Sequence, residues 1–354
     1  MREHTAPGVL TAADVAQTAD TIAAAQAVTG QIPWFPGGHT DPWDHVEAAM
    51  ALDVAGRHDE ARAAYDWLRR SQNPDGSWCH TYEGERVVDA TRESNFAAYI
   101  AVGLWHHFQA TGDDAFLDRM WPTLCAALSF VMGLQAPGGE IRWARGPDGA
   151  ATDEALLTGC ASMYHSLRCA LAIADRRGES QPDWELTAAT LGHAVAAHPE
   201  RFSPRDRYSM DWYYPILGGA VRGEPARRRI DAGWDRFVVP GLGVRCVSDR
   251  PWVTGAETCE LVLALCAMGE HDRAADLFAA VQRLRHDDGS YWTGYVYPDD
   301  AMWPVERTTW TAGAVLLAAA ALAGDPPATT AVFGGGDLPA GPAETVAGCG
   351  LQHP

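Results

Sequence analysis

Carboxylates cluster at the start of a predicted helix in the segment TDPWDHVEAAMALDVAG, residues 40–56. Asp41, Asp44 and Glu47 are spaced by three, so they lie near one helix face, and apolar residues follow at once. Carboxyl groups here either cap the helix or perform acid–base chemistry. Asp41 before Pro42 is a good N-cap, and Asp44 three residues on resembles a capping box. Capping does not account for Glu47, which lies one turn further in.

A second acidic helix start occurs in TGAETCELVLALCAM, where Thr254 and Glu257 match a capping box. Glu260 lies one turn deeper, and an ionised carboxylate there is expensive to bury without a partner. We therefore interpret Glu260 as functional, and Glu47 holds the equivalent position in the first segment. Asp44 and Glu260 are the predicted catalytic pair. The sequence leaves open whether Glu47 or Glu257 replaces one of them.

The two segments begin copies of a longer internal repeat, residues 41–78 and residues 254–292. Each copy has an acidic start, an apolar helix, a turn with Gly, His and Asp, an amphipathic helix and an Asp-Gly-Ser turn near a Trp. Repeated helical hairpins close into a toroid, with the more apolar first helices inside and the charged second helices outside. The sequence therefore predicts an all-α fold, an (α/α)6 barrel of six hairpins.

Capping signals and 3.6-residue periodicity predict about twelve helices. Their predicted ranges are 11–28, 42–55, 58–71, 91–112, 114–134, 153–177, 183–197, 208–221, 224–236, 254–268, 270–284 and 307–323. Residues 1–324 form the predicted single barrel domain. Residues 325–354 are rich in Pro and Gly, which predicts an extended or disordered tail. Short strand-like stretches such as RFVVPGLGVRCVSD lie between helices.

Composition restricts the class of ligand. The 27 basic and 46 acidic residues give a net charge of -19, which argues against nucleic acid or an anionic membrane as partner but not against a neutral carbohydrate. The start of the chain has no signal-peptide pattern, and no apolar run reaches about 18 residues. The eight Cys lack CxxC or zinc spacing, so we expect reduced thiols in a cytoplasmic protein without metal or cofactor.

The inner helices of such a toroid share a direction, so their starts surround one mouth of the barrel. Aromatic and acidic residues fall at these starts, and a cleft lined by such groups suits binding and hydrolysis of an oligo- or polysaccharide. The predicted substrate-binding residues are Trp34, His39, Asp41, Trp43, Glu47, Arg92, Tyr214, Trp252, Glu257, Trp292, Trp303 and Arg307.

Hydrolysis of a glycosidic bond needs one protonated and one ionised carboxyl group. Closure of the toroid places the first and last hairpins side by side, so we expect Asp44 and Glu260 to be near neighbours. A separation of roughly 5 Å between the two carboxyl groups favours retention of the anomeric configuration and about 6.5–9.5 Å favours inversion. The sequence does not give that distance.

Two other classes of protein remain open. The turns QNPDGSW and HDDGSYW resemble the QW motif of terpene cyclases, although the acid motif DxDD and the diphosphate motif DDxxD of those enzymes do not occur. We interpret these turns as structural, with the Trp filling the gap between repeats. A cyclase-like or prenyltransferase-like toroid would have a closed, aromatic barrel centre. A non-catalytic carbohydrate- or lipid-binding toroid would keep the aromatic cleft without needing two opposed carboxylates.

The segments PWDHVEAAMAL and TGAETCELVLAL, together with the DGSW turns, resemble the (α/α)6 glycoside hydrolases. More specifically, residues 10–323 resemble the mycobacterial methylmannose polysaccharide hydrolases. The resemblance implies a cytosolic, endo-acting α-(1→4)-mannosidase that cuts a methylated mannan with inversion. Carried over to this chain, Asp44 would be the general acid and Glu260 the general base, and the two labels are interchangeable at this stage.

Overall fold

The computed structural model describes residues 9–324, 327–334 and 338–339, and thirteen α-helices lie within these ranges. Their bounds are α1 (Ala12–Ala25), α2 (Pro42–Val54), α3 (His58–Ser71), α4 (Ser94–Thr111), α5 (Asp114–Met132), α6 (Leu157–Arg177), α7 (Pro182–Ala197), α8 (Ser209–Leu217), α9 (Gly223–Phe237), α10 (Gly255–Met268), α11 (His271–Val281), α12 (Thr309–Ala323) and α13 (Pro327–Phe333). Each of the twelve predicted helices overlaps one of the first twelve.

Two concentric layers of helices form the barrel. Each of α2, α4, α6, α8 and α10 packs against the next even-numbered helix, and α12 packs against α2, which closes an inner ring. In the outer layer α3, α5, α7, α9 and α11 each pack on the preceding inner helix, while α1 packs on α12. The contact between α2 and α12, the first and last helices of the inner layer, thus closes the ring. The predicted (α/α)6 architecture is confirmed.

The charged and apolar faces follow from the sequence of each hairpin. In α2 nearly every residue is buried, because that helix touches neighbours on all sides in the inner ring. In α3 the buried residues are Ala61, Ala64, Tyr65, Trp67 and Leu68, which form one stripe with charged residues opposite. Across the described residues, every helix is too short or too polar to cross a bilayer.

Short strands lie between the helices. β1 (Thr81–Glu83) pairs with β2 (Arg86–Asp89), and β3 (Arg92–Glu93) pairs with β4 (Ala144–Arg145). An antiparallel sheet contains β5 (Val238–Val239), β6 (Gly243–Arg245), β7 (Trp252–Thr254), β8 (Gly294–Val296) and β9 (Ala301–Met302) in that order. The predicted strand-like stretch RFVVPGLGVRCVSD supplies β5 and β6. Because β3 runs directly into α4 and β7 into α10, these strands fix where two inner helices begin.

The glycine turn after α3 packs tightly against the neighbouring hairpin. Gly76 has φ +90°, and a Cβ there would lie 2.0 Å from the Ala126 carbonyl oxygen of α5. The Gln72 amide donates to the Gly76 and Thr123 carbonyl oxygens, both at 2.9 Å. Trp78 is buried, and its Nε1 donates to Leu68 O at 2.9 Å. The DGSW turn is therefore a packing device, as its sequence predicted.

The start of the C-terminal segment differs from the prediction of an extended or disordered tail. Residues from Pro327 to Phe333 form α13, which packs against α4, α10 and α12. Val332 and Phe333 are buried, and His165 of α6 shares a hydrogen bond of 2.9 Å with Val332 O. The prediction failed because composition does not reveal that Ala328, Val332 and Phe333 become buried against helices of the inner ring. The rest of the predicted tail, residues 340–354, lies outside the described residues.

Candidate active site

The loop and first turn of α2 hold the first group of carboxylates. Asp41 caps the helix, since its Oδ1 accepts from Asp44 N at 3.0 Å, and its Oδ2 accepts from Trp34 Nε1 at 2.6 Å. The capping interpretation of Asp41 is thus confirmed. The His39 and Trp34 rings are tilted by 43° with centroids 4.3 Å apart, and the Trp34 and Trp310 ring centroids lie 5.9 Å apart. Asp41 therefore fixes both the start of α2 and the loop before it.

Asp44 is half-buried at the barrel mouth, among other acidic groups. Burial raises its pKa well above the usual range, and the negative charges of Asp41, Glu47 and Glu260 raise it further. The raised pKa favours the protonated form of Asp44, and a general acid must be protonated when it acts.

Glu47 lies one turn deeper in α2 and is 4% exposed. Its Oε1 accepts from Trp43 Nε1 and from the Tyr99 hydroxyl group, both at 3.2 Å. Burial raises the pKa of Glu47 to about 7, although these two hydrogen bonds act in the opposite direction. Oε2 is buried without a hydrogen-bond partner among the described residues. Glu47 is therefore held by two aromatic side chains, Trp43 and Tyr99, at the barrel mouth.

The start of α10 differs from its predicted capping box. Thr254 is the N-cap residue, but its side chain makes no capping hydrogen bond. Within the described part of the chain, neither Thr254 Oγ1 nor Glu257 Oε2 has a hydrogen-bond partner, although both are buried. The predicted box fails because β7 and β8 pair at this position, Thr254 with Gly294, and the strand sets the backbone. Glu257 thus remains a candidate for a functional role.

Glu260 is 3% exposed and receives two hydrogen bonds from α8. The Tyr213 hydroxyl group donates to Oε2, and the Tyr214 hydroxyl group donates to Oε1 at 2.6 Å. Burial raises the pKa of Glu260 well above its usual range and Glu47 adds to this, while the tyrosine hydroxyl groups lower it. Two O–H donors thus compensate for the free energy of burying the Glu260 carboxylate, which the sequence analysis identified as unfavourable without a partner.

The two acidic helices, α2 and α10, lie one helix apart in the inner ring. The expectation that they lie side by side was wrong, because α12 separates α2 from α10 in the inner ring. An aromatic layer bridges the gap: the Trp43 ring lies 5.7 Å from Tyr214 and 5.4 Å from Tyr99. Asp44 and Glu260 are nevertheless close enough for the charge of Glu260 to raise the pKa of Asp44.

Other predicted residues lie at the rim of the mouth. A cavity of about 570 Å³ lies between the end of α1 and the loop before α12, and Trp292 and Arg307 line it. The Arg307 guanidinium stands 5.4 Å from the Trp292 ring centroid and donates to Asp288 Oδ2 at 2.5 Å. This cavity is separate from the carboxylate cluster, although loop residues such as Phe35 reach it.

The remaining predicted residues are held by the sheets. Trp252 Nε1 donates to Trp303 O at 2.8 Å, and the two rings lie edge to face at 4.9 Å. Trp303 is 54% exposed, which suits a stacking surface at the outer rim. Arg92 instead donates to Asp75 Oδ2 at 3.1 Å and to Gly146 O at 2.7 Å, so it ties two loops together. Arg92 is thus engaged within the protein.

Sequence reasoning missed two contributors to the cluster, Tyr99 and the partner role of Tyr213. A signal existed in SNFAAYIAVGL, where Asn95 and Tyr99 are one turn apart on an otherwise apolar helix. Polar groups at that spacing in an inner helix indicate a shared polar face. The His, Cys, Asp and Glu side chains of the described residues form no group of three that could hold a metal ion.

Comparison with known proteins identifies the family. No family model matches the chain. The MMP endo-(1,4)-3-O-methyl-α-D-mannosidase of Mycolicibacterium hassiacum is 60% identical over 335 residues, which is 95% of this chain and 93% of that one. A glycosidase variant solved with glucose has a TM-score of 0.69 at 15% identity, covering 88% of this chain and 98% of its own.

A D-mannose isomerase structure also has a TM-score of 0.69, at 11% identity over 88% of this chain and 96% of its own. At such low identity the solved structures show a shared toroid fold and nothing about chemistry. The mannosidase match is of another kind, because it extends over nearly all of both chains. This protein therefore belongs to the family of the MMP endo-(1,4)-3-O-methyl-α-D-mannosidase.

Proposed function

We propose that this protein hydrolyses internal α-(1→4)-mannosidic bonds of a methylmannose polysaccharide, with Asp44 as general acid and Glu260 as general base. The protein is a glycoside hydrolase by family, and the name of its relative specifies an endo-acting 3-O-methyl-α-D-mannosidase. The assignment of the two carboxyl groups rests on one observation. Glu260 receives hydrogen bonds from the hydroxyl groups of Tyr213 and Tyr214, and the Tyr214 ring contacts Trp43, which directly precedes Asp44 in α2.

The environment of each group suits its proposed role. Asp41 and Glu47 crowd Asp44 with negative charge, which favours its protonated form. Tyr213 and Tyr214 donate hydrogen bonds to Glu260, which favours its ionised form. Burial raises the pKa of both carboxyl groups, but the two tyrosine hydroxyl groups oppose that rise at Glu260, and this difference makes Glu260 our choice for the ionised member of an acid–base pair.

The proposed reaction is a single displacement. Asp44 gives its proton to the glycosidic oxygen as the bond from that oxygen to the anomeric carbon breaks. Glu260 takes a proton from a water molecule whose oxygen bonds the anomeric carbon from the opposite face. The products are a chain with a free hydroxyl end and a chain with an inverted reducing end. Exchange with solvent then returns the proton from Glu260 to bulk water and reprotonates Asp44.

The test compares wild type with Asp44→Asn and Glu260→Gln on α-(1→4)-linked oligosaccharides of 3-O-methylmannose, followed by mass spectrometry and NMR of the first-formed anomer. We expect each variant to lose about 10³-fold in kcat/KM, within the usual range for acid–base groups. Asp272→Asn, an exposed aspartate of the outer helix α11, is the control and should retain full activity. Full activity in both amide variants would refute the site assignment.

A glycosyl fluoride separates the two roles. Fluoride leaves without protonation, so a substrate with this leaving group bypasses the general acid. Asp44→Asn should therefore cleave an α-fluoride of the oligosaccharide at a rate near that of wild type, while Glu260→Gln should stay inactive. The reverse pattern would exchange the two labels.

We propose a cytosolic location and a carbohydrate as the sole class of ligand. The net charge of -19 supports the second part, since it provides no basic excess to neutralise phosphate groups. Binding of duplex DNA in a gel-shift assay at low salt would contradict it. Fractionation of cells that express the full chain tests the location.

A further inference from the structure

A second cavity lies between the starts of α4, α6 and α8, with Trp43 in its wall, and we name it the Trp43 pocket. Its volume is about 190 Å³, far smaller than the rim cavity and suited to one sugar unit. The apolar lining consists of Trp43, Ile141, Trp143, Leu156, Met163 and Met210. Because Trp43 also donates to Glu47, this pocket adjoins the acidic cluster directly.

Among the described residues, the buried polar side chains of the Trp43 pocket have partners, with one exception. Glu93 pairs with His80 at 3.1 Å, Ser94 donates to Arg142 O at 2.8 Å, and Asp211 accepts from Thr158 at 2.5 Å. Asn95 is 2% exposed, and the described residues supply no hydrogen-bond partner to either atom of its amide. A buried amide left unpaired is costly, and the Asn95 side chain therefore has both a donor and an acceptor available to a molecule bound in the pocket.

We propose that the Trp43 pocket is the subsite that recognises the O-methyl group of the sugar, with Asn95 as the polar anchor. This inference rests on the proposed function. In 3-O-methylmannose the hydroxyl group at O2 is a donor, whereas the neighbouring ether oxygen at O3 can only accept. One amide matches both, since Asn95 Oδ1 accepts and Nδ2 donates. The methyl group then meets the apolar wall.

Two methionines make this wall suited to a methyl ether. Met163 is buried and Met210 is half-buried, and thioether side chains adapt to small apolar groups. A free hydroxyl group against the same wall would lose its hydrogen bond to water, so the pocket discriminates against the unmethylated sugar. A hydrophobic pocket that accommodates one additional methyl group discriminates between two substrates by about 10- to 200-fold.

Binding can be tested without relying on catalysis. The probes are methyl 3-O-methyl-α-D-mannopyranoside and methyl α-D-mannopyranoside, added to protein with ¹³C-methyl-labelled methionine and followed by NMR. We expect the methylated glycoside to shift the Met163 and Met210 signals, with an affinity at least about 10-fold higher than that of its unmethylated counterpart. Equal shifts from both glycosides, or shifts confined to other methionines, would overturn the proposal.

Kinetics of three variants supply the second test. Met210→Gln keeps the side-chain volume, and we expect it to lower the ratio of kcat/KM for methylated over unmethylated oligosaccharide by about 10-fold. Asn95→Leu should lower kcat/KM for both substrates, because it removes the anchor without leaving a cavity. Met268→Gln, a half-buried methionine at the far end of α10, is the control and should keep the ratio.

The outcomes distinguish this inference from the proposed function. An unchanged ratio in Met210→Gln, with wild type still cutting and Asp44→Asn inactive, overturns the methyl subsite alone. If wild type cuts no mannoside, the proposed function fails, and the NMR titration still decides whether the Trp43 pocket binds the methylated sugar.

Discussion

Tyr214 of α8 donates a hydrogen bond to Glu260 of α10 over 2.6 Å, and its ring stands edge-on to Trp43 of α2. One aromatic side chain thus holds the proposed base and contacts the helix that carries the proposed acid. Because the hydrogen bond favours the ionised carboxylate, the protonation state of Glu260 depends on a neighbouring helix as well as on its own burial.

Tyr214→Phe tests this dependence. Loss of the hydroxyl donor should raise the pKa of Glu260 further, so the acidic limb of the kcat/KM profile should move to higher pH by about one unit. The measurement is kcat/KM between pH 4 and pH 9, for which the buffers are matched in ionic strength. Tyr291→Phe, which removes a buried hydroxyl bonded to Gln282, is the control and should leave the limb in place. An unmoved limb in Tyr214→Phe would argue against Glu260 as base.

Single amide variants distinguish the roles of Glu47, Glu257 and Glu260. We expect Glu257→Gln and Glu47→Gln to lose less than about 10²-fold in kcat/KM, below the range of a true acid–base group, while Glu260→Gln loses about 10³-fold. Steady-state kinetics at the pH optimum of each variant gives the comparison. Should Glu257→Gln show the larger loss, the role of base would pass to the first turn of α10.

A buried carboxylate at the other end of α2 contributes stability. Asp53 accepts hydrogen bonds from His58 and His107, each at 2.9 Å. Burial raises its pKa, but His106, His107 and His58 together lower it below the usual range. Asp53→Asn breaks a buried polar network and should lower the free energy of unfolding by about 3 kcal/mol. Urea unfolding at pH 7 measures this loss. A change below about 0.5 kcal/mol, the usual size at an unimportant surface site, would show that the network contributes nothing.

The same cluster predicts a pH dependence. The hydrogen bond to Asp53 raises the pKa of His58, so its contribution is complete below the unfolded value near 6.5 and is lost as pH rises through the raised pKa. Because His58 is partly exposed, we expect about 0.5 kcal/mol between pH 6 and pH 9. Asp53, with its lowered pKa, loses its own contribution only in acid. His58→Gln should remove the alkaline change, as unfolding curves at both pH values will show.

Gly76→Ala tests the interlocking turns. The positive φ and the close Ala126 carbonyl both oppose a side chain, so we expect a loss of about 3 kcal/mol in unfolding free energy. Gly84, with φ +57° and open space around it, is the matched control, for which Ala should cost about 1 kcal/mol. Equal losses at both sites would mean that backbone conformation alone matters.

Phe333→Ala tests the docking of α13. Phe333 is buried, with its ring 5.3 Å from His165 of α6, and truncation of a buried phenylalanine costs about 3–5 kcal/mol. Val305→Ala, at an 81% exposed site, should change stability by less than about 0.5 kcal/mol. Thermal and urea unfolding of both variants gives the values. A loss in Phe333→Ala as small as that of Val305→Ala would show that α13 adds no stability.

Much of the fold was predictable because it depends on sequence patterns that are local in the chain. Caps, periodicity and the repeated hairpin predicted twelve helices and the closed ring, and Asp41 caps α2 as its sequence indicates. The helix α13 escaped prediction because seven residues in a Pro/Gly-rich segment carry little periodicity. Its structure depends on an apolar surface that exists only once the inner ring has closed.

For the site, the sequence by itself determined which carboxylates are expensive to bury, Glu47 and Glu260, because their apolar neighbours are adjacent in the chain. Tertiary structure alone decided what satisfies them. Tyr99, Tyr213 and Tyr214 come from helices far away in sequence, and their hydroxyl groups reach the carboxylates only in the closed ring. Hydrogen bonds are short and directional, so a pattern of residue types cannot specify them before the backbone positions are fixed.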